Sequence, residues 1–155
     1  GGTFEISDVT ARYYVGQYNW SNSLAKTVTK TIWKMKKLSG DISGKNYTCK
    51  IWTQTGKNLT TMVGESTNVP GNNGWGAVAY SNVTFGFSSP VSLSSNTPYA
   101  FTLDNNSITD TVNKASTLYS ATNIPIPGAS ARYSTNKNWA ADVGSNAQFQ
   151  IYWYQ

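Results

Sequence analysis

Thr27-Val28-Thr29-Lys30-Thr31-Ile32-Trp33-Lys34-Met35-Lys36-Lys37 is the stretch on which the fold turns. Leu24, Val28, Ile32 and Met35 fall at helical spacing with lysines between them, as an amphipathic helix would have them. Five of the six residues from Thr27 to Ile32 are β-branched, however, and such side chains crowd a helix at χ1. Strand parity also works, with Thr31, Trp33 and Met35 on one face and Ile32, Lys34 and Lys36 on the other. The stretch reads as a strand.

Outward from it the signal stays β. Short runs of Thr, Val, Ile, Tyr, Phe and Trp predict strands over 4–9, 11–15, 27–37, 47–53, 80–87, 99–103, 130–134 and 147–154. Turn chemistry separates them, as in Ser39-Gly40-Asp41 and Pro70-Gly71-Asn72-Asn73-Gly74. Tyr47, Cys49 and Ile51 should point inward, leaving Thr48, Lys50 and Trp52 outward. A hairpin through residues 39–46 would then place Lys34, Lys36, Lys50 and Trp52 on one outer face. Near the C-terminus, Phe149, Ile151 and Trp153 face one way, and Gln148, Gln150, Tyr152 and Tyr154 the other. With 155 residues and no repeat, linker or charge block, the expectation is a single all-β domain spanning 1–155. Gly1-Gly2 reads as a cloning remnant or a cut point within a larger protein.

Composition removes several activities. The chain has no His, the commonest general base and a frequent metal ligand. Cys49 is the only cysteine, so neither a disulfide framework nor a thiolate cluster is expected, and its alternating apolar position reads as core filler. Seven carboxylates in turn-rich contexts are too few for the converging pair of a glycosidase. Asp104, Asn105, Asn106 and Asp110 offer hard oxygen ligands but lack the acid density of a calcium loop, and read as turn caps. Two Ser-x-x-Lys matches, Ser23 to Lys26 and Ser134 to Lys137, lack their companion motifs. No catalytic residue, metal or cofactor is expected, and no apolar run is long enough for a membrane helix.

Ser, Thr and Asn make up 53 of the 155 residues while only 12% are charged, a composition typical of secreted or surface-displayed β domains. Five Asn-x-Ser/Thr sequons, at Asn19, Asn46, Asn58, Asn82 and Asn105, matter only in a host that glycosylates. The net charge of +5 is concentrated: seven of ten lysines lie between Lys26 and Lys50. Weak attraction to anionic polymers follows. Specific nucleic-acid recognition does not, because Arg12 and Arg132 are the only arginines.

From Thr27 onward the order of elements resembles a known family. The Lys-rich strand ending Lys-Met-Lys-Lys-Leu leads through a Ser-Gly turn to Tyr47-Thr48-Cys49-Lys50-Ile51-Trp52. Then come Val83-Thr84-Phe85-Gly86-Phe87, Pro90-Val91-Ser92-Leu93 and Asn96-Thr97-Pro98-Tyr99-Ala100-Phe101-Thr102-Leu103. Tyr133, a loop Trp139 and Phe149-Gln150-Ile151-Tyr152 close the pattern. It is similar to the jelly-roll β-sandwich modules of bacterial surface proteins, phage fibres and polysaccharide-acting enzymes. The resemblance implies a jelly-roll-like antiparallel β-sandwich acting as a non-catalytic accessory or adhesion domain, often carbohydrate-binding.

Tryptophans in soft surroundings carry the sharpest functional signal. Trp20 lies in Tyr18-Asn19-Trp20-Ser21-Asn22 and Trp75 in Asn72-Asn73-Gly74-Trp75-Gly76. An exposed indole would offer a flat apolar platform to the CH face of a sugar, and nearby amides or ammonium groups would bind its hydroxyls. The expected ligand site is therefore Trp20, Trp75 and Trp52, with Asn19, Asn73, Lys50 and Gln150 hydrogen-bonding a polysaccharide. The alternative is a structural subunit of an extracellular filament, pilus or virion fibre. There Tyr152, Tyr154 and the first strand would drive self-association with a neighbouring copy. Both readings place the protein outside the cell or at a cell or virion surface, without membrane insertion.

Overall fold

The computed structural model describes residues 2–6, 14–56, 58–76, 79–105, 112–120, 130–135, 138–142, 146–147 and 149–154. They contain thirteen strands and no helix. These are β1 (Gly2–Ile6), β2 (Tyr14–Trp20), β3 (Lys26–Ser39), β4 (Asn46–Thr55), β5 (Asn58–Glu65), β6 (Val69–Pro70) and β7 (Ser81–Leu93). After them come β8 (Tyr99–Asn105), β9 (Lys114–Ser120), β10 (Ser130–Thr135), β11 (Asn138–Asp142), β12 (Asn146–Ala147) and β13 (Phe149–Tyr154). The expected strands over 4–9 and 11–15 extend into 7–13, outside the described residues. β5, β6, β9 and β11 are not among the strands expected from sequence, which reads Pro70 as the start of a turn.

Every described pairing is antiparallel, in two sheets that pack face to face as an all-β sandwich. Sheet A holds β1, β3, β7, β9, β12 and β13; sheet B holds β2, β4, β5, β6, β8, β10 and β11. Apart from β4–β5–β6, β10–β11 and β12–β13, the chain changes sheet at each connection, the jelly-roll-like winding expected.

β3 organises sheet A. One edge pairs with β7 from Lys26 to Met35, while β13 and β9 share the other, meeting near Trp33 and Met35. The parity read from sequence holds: Thr31, Trp33 and Met35 are fully buried and Ile32, Lys34 and Lys36 are not. Val83, Phe85, Phe87, Val91 and Leu93 of β7 extend the apolar layer, and Tyr47, Cys49, Ile51, Phe101 and Leu103 face it from sheet B. Trp33 directs its Nε1–H to Thr31 Oγ1 at 3.0 Å, so the core indole is dry without being orphaned.

The expected β3–β4 hairpin is corrected. β3 belongs to sheet A and β4 to sheet B, so Lys34 and Lys36 lie on the opposite side of the sandwich from Lys50 and Trp52. Both strands bury an alternating row, and each satisfies its edges better with other partners; alternation fixes faces, not neighbours. The crossing segment is anchored by fully buried Ile42 and closed by Lys45 N–H donating to the Ile42 carbonyl at 3.0 Å. Gly71 packs against this crossing, where a Cβ would collide with the Ile42 carbonyl oxygen.

Sheet B curls. β5 turns back along β4, and its first residue, Asn58, also meets Asn138 of β11 at the far end of the sheet. The face turned away from sheet A therefore gains a small core of its own: Trp52, Leu59 and Ala100, with Tyr18 packed against them. Replacing Phe101, fully buried in the main core, with Ala should cost about 3–5 kcal/mol, read from the urea midpoint, whereas exposed Ser92→Ala should shift it little.

Candidate functional site

The three indoles chosen as sugar platforms are buried. Trp20, Trp52 and Trp75 retain 3%, 5% and 8% of their surface, which corrects the expectation of exposed stacking faces. Each has a local cause. Trp20 ends β2 beyond an irregularity in the β2–β8 ladder, where Asn19 adopts a left-handed φ of 59°. The resulting turn sends the ring inward, edge-on to Phe101 at 5.3 Å. Trp75 packs on Tyr47 at 5.5 Å, and its carbonyl accepts from Lys37 N–H at 3.0 Å. Trp52 lies in the second core and donates from Nε1 to Thr102 Oγ1 at 2.9 Å.

The polar partners assigned to those rings hold the fold together. Asn73 Oδ1 accepts from Ile42 N–H at 2.9 Å and its amide donates to Asp41 Oδ1 at 2.7 Å, fastening the loop before β7 to the crossing after β3. Asn19 N–H donates to Gln54 Oε1 at 2.7 Å. Lys50 pairs with Asp104 at 2.6 Å and more loosely with Glu65 at 3.7 Å, while Thr48 Oγ1–H donates to the other Asp104 oxygen. Asp104 thus lies within β8 as the centre of an ion-paired cluster, not in a turn. Trp139 is in strand β11, not in a loop; its side chain lies outside the described residues, as does that of Tyr154.

Burial pushes the Asp104 carboxyl above its ordinary range, against the pull of Lys50. Asp41 moves the other way, down to about 2, through hydrogen bonds from the Ser43 hydroxyl, the Ser43 N–H and the Asn73 amide. Cys49 is enclosed, and burial pushes its thiol up to about 12, consistent with a core filler. Among the described residues no three His, Cys, Asp or Glu side chains converge as metal ligands.

The outer face of sheet A presents an assembly of ligand-competent groups. Register places Tyr152 opposite Lys30 and Gln150 opposite Ile32. Tyr152 is 41% exposed, the Lys30 ammonium sits 4.7 Å from its ring centre, and its hydroxyl donates to Gln150 Oε1 at 3.2 Å. Lys34 and Lys36 continue the row along β3, the latter 5.9 Å from the Tyr80 ring. Gln150 alone of the expected ligand residues lies here. Parity put Tyr152 and the lysines on outer faces, but nothing in sequence showed that β13 lies beside β3. Compared with known proteins, the chain matches no family model and no curated protein.

Two outcomes test the polar clusters. Lys50→Met strands a largely buried carboxylate and should cost about 3 kcal/mol in urea denaturation at neutral pH; adding Asp104→Leu should recover most of it. Asp41 has a depressed pKa, so its stabilising contribution is present above the ordinary 3.8 and is lost as pH falls towards about 2. Asp41→Asn should flatten the stability profile across that interval.

Proposed function

We propose that this protein is a non-catalytic binding or adhesion module that recognises a polysaccharide on the outer face of sheet A. The observation that carries the reading is the Tyr152–Lys30–Gln150 group: a ring open to solvent, an ammonium at its face and an amide on its hydroxyl. A sugar needs an apolar surface for its CH groups and a rim of donors and acceptors for its hydroxyls. This group supplies both on a strand backbone, where positions are fixed before the ligand arrives. The role first assigned to Trp20, Trp52 and Trp75 passes to Tyr152, because buried rings cannot stack on a polymer.

The likeness to jelly-roll modules of surface proteins, phage fibres and polysaccharide-acting enzymes supports the same reading, as does the sparsely charged composition, which suits secretion or surface display. Assembly into a filament or fibre is the second reading. One observation favours it: β13 is paired to β3 along one edge, and its other edge has no strand partner among the described residues. The first strand offers less, since β1 pairs with β9 and β2 with β8 and β10 inside the chain.

Affinity electrophoresis through gels containing different polysaccharides should retard the protein, and Tyr152→Ala should weaken retention about tenfold without lowering the unfolding midpoint. Leu24→Ala, at an exposed loop position, should bind as the parent does. Equal retention of parent and Tyr152→Ala would contradict this assignment. Concentration-dependent oligomers in sedimentation, abolished by Tyr152→Ala, would favour assembly.

A further inference from the structure

Resting on that assignment of the outer face of sheet A, we infer that its ligand is a polyanionic polysaccharide of the uronate class, held by Lys30, Lys34 and Lys36 alongside Tyr152. The three lysines lie on one face of a single strand, spanning about 20 Å at the usual rise per residue. No carboxylate pairs with any of them among the described residues. Their directly opposed neighbours are uncharged: Gly86 across from Lys30, Asn82 from Lys34, Ser116 from Lys36, with Thr84 and Gln150 flanking Ile32.

The carboxylates whose surroundings are described lie elsewhere. Asp41 is tied to Ser43 and Asn73 in the crossing after β3, while Glu65 and Asp104 surround Lys50 on sheet B. Among the described side chains, β3 thus keeps a row of like charges whose mutual repulsion an incoming anion relieves. Glu5 of β1 is one strand beyond Ser116 in register, its side chain outside the described residues. Mobile ammonium groups on long stems suit carboxylates repeated along a polymer. A uronate ring carries one carboxylate and one apolar CH face, and the Lys30–Tyr152 contact at 4.7 Å holds the complement of each side by side.

Nucleic acid fits this face less well. Tyr152 is its one aromatic ring described as exposed, whereas single-stranded nucleic acid is held by successive stacking platforms. No arginine, the fork that grips phosphate, occurs among its described residues; Arg132 is in β10 of sheet B.

The experiment titrates the full chain with polygalacturonate, a neutral β-glucan and single-stranded oligothymidylate, at low and at physiological salt. Polygalacturonate should bind at least about tenfold more tightly than the glucan, and the preference should shrink as salt rises. The triple variant Lys30→Gln, Lys34→Gln, Lys36→Gln should lose that preference and keep weak glucan binding. Tyr152→Ala should weaken both glycans, and thermal unfolding confirms that each variant is folded. Equal binding of both glycans, unchanged in the triple variant, overturns the polyanion inference and leaves polysaccharide binding standing. Binding to neither glycan overturns both. Oligothymidylate bound more tightly than polygalacturonate overturns the inference in favour of a nucleic-acid surface.

Discussion

A fully enclosed indole that still keeps its hydrogen bond is the constraint around which the sandwich is arranged. Trp33 sits midway along β3 with no exposed surface, and Thr31, two residues earlier on the same face, takes its Nε1–H. A strand with a two-residue side-chain period is what brings the hydroxyl beneath the ring. Enclosure then requires partners on both edges of β3 and a second sheet above it. β7, β9 and β13 supply the edges; Tyr47, Cys49, Ile51, Phe101 and Leu103 supply the cover. Trp52 repeats the device on a smaller scale, with Thr102 as acceptor and Leu59 folded beside it by the curl of sheet B.

The curl explains how polar groups are spent. Once the far face of sheet B is covered, Thr48, Thr102 and Asp104 are buried with it and each must be satisfied. Lys50, drawn in beside them, answers the charge of Asp104 and is no longer available to a ligand. The outer side of sheet A keeps Gln150 and Tyr152 exposed and Lys30, Lys34 and Lys36 half-buried. Lys30, Lys34 and Lys36 have no carboxylate partner among the described residues, and Tyr152 remains at the surface. The two faces of the molecule differ because one sheet closes over itself and the other does not.

Much of this was legible in the sequence, and the parts that were not share a cause. β-branched residues from Thr27 to Ile32 and the alternation in Tyr47-Thr48-Cys49-Lys50-Ile51 marked strands and assigned their inner faces correctly. Which strands adjoin was hidden, because register between distant segments leaves no local trace; the β3–β4 hairpin failed for that reason. β5 was missed because only Leu59 of its eight residues is buried, and β9 because its described inward positions hold only small Ala115 and Thr117. The indoles were misplaced because Asn and Gly around Trp20 and Trp75 resembled a solvated loop. Those residues turn the chain: Asn19 supplies the left-handed step that buries Trp20, and Asn73 pins the loop that buries Trp75.

Function follows from what is left outside once every described indole except half-buried Trp153 has gone in. The most direct test of that division is amide and indole hydrogen exchange by NMR. If the rings are core elements, the Nε1 protons of Trp33 and Trp52 exchange only through global unfolding, at rates matching the slowest amides of β3 and β8. Exchange of either indole at the rate of an open loop, with those strand amides still protected, would contradict it.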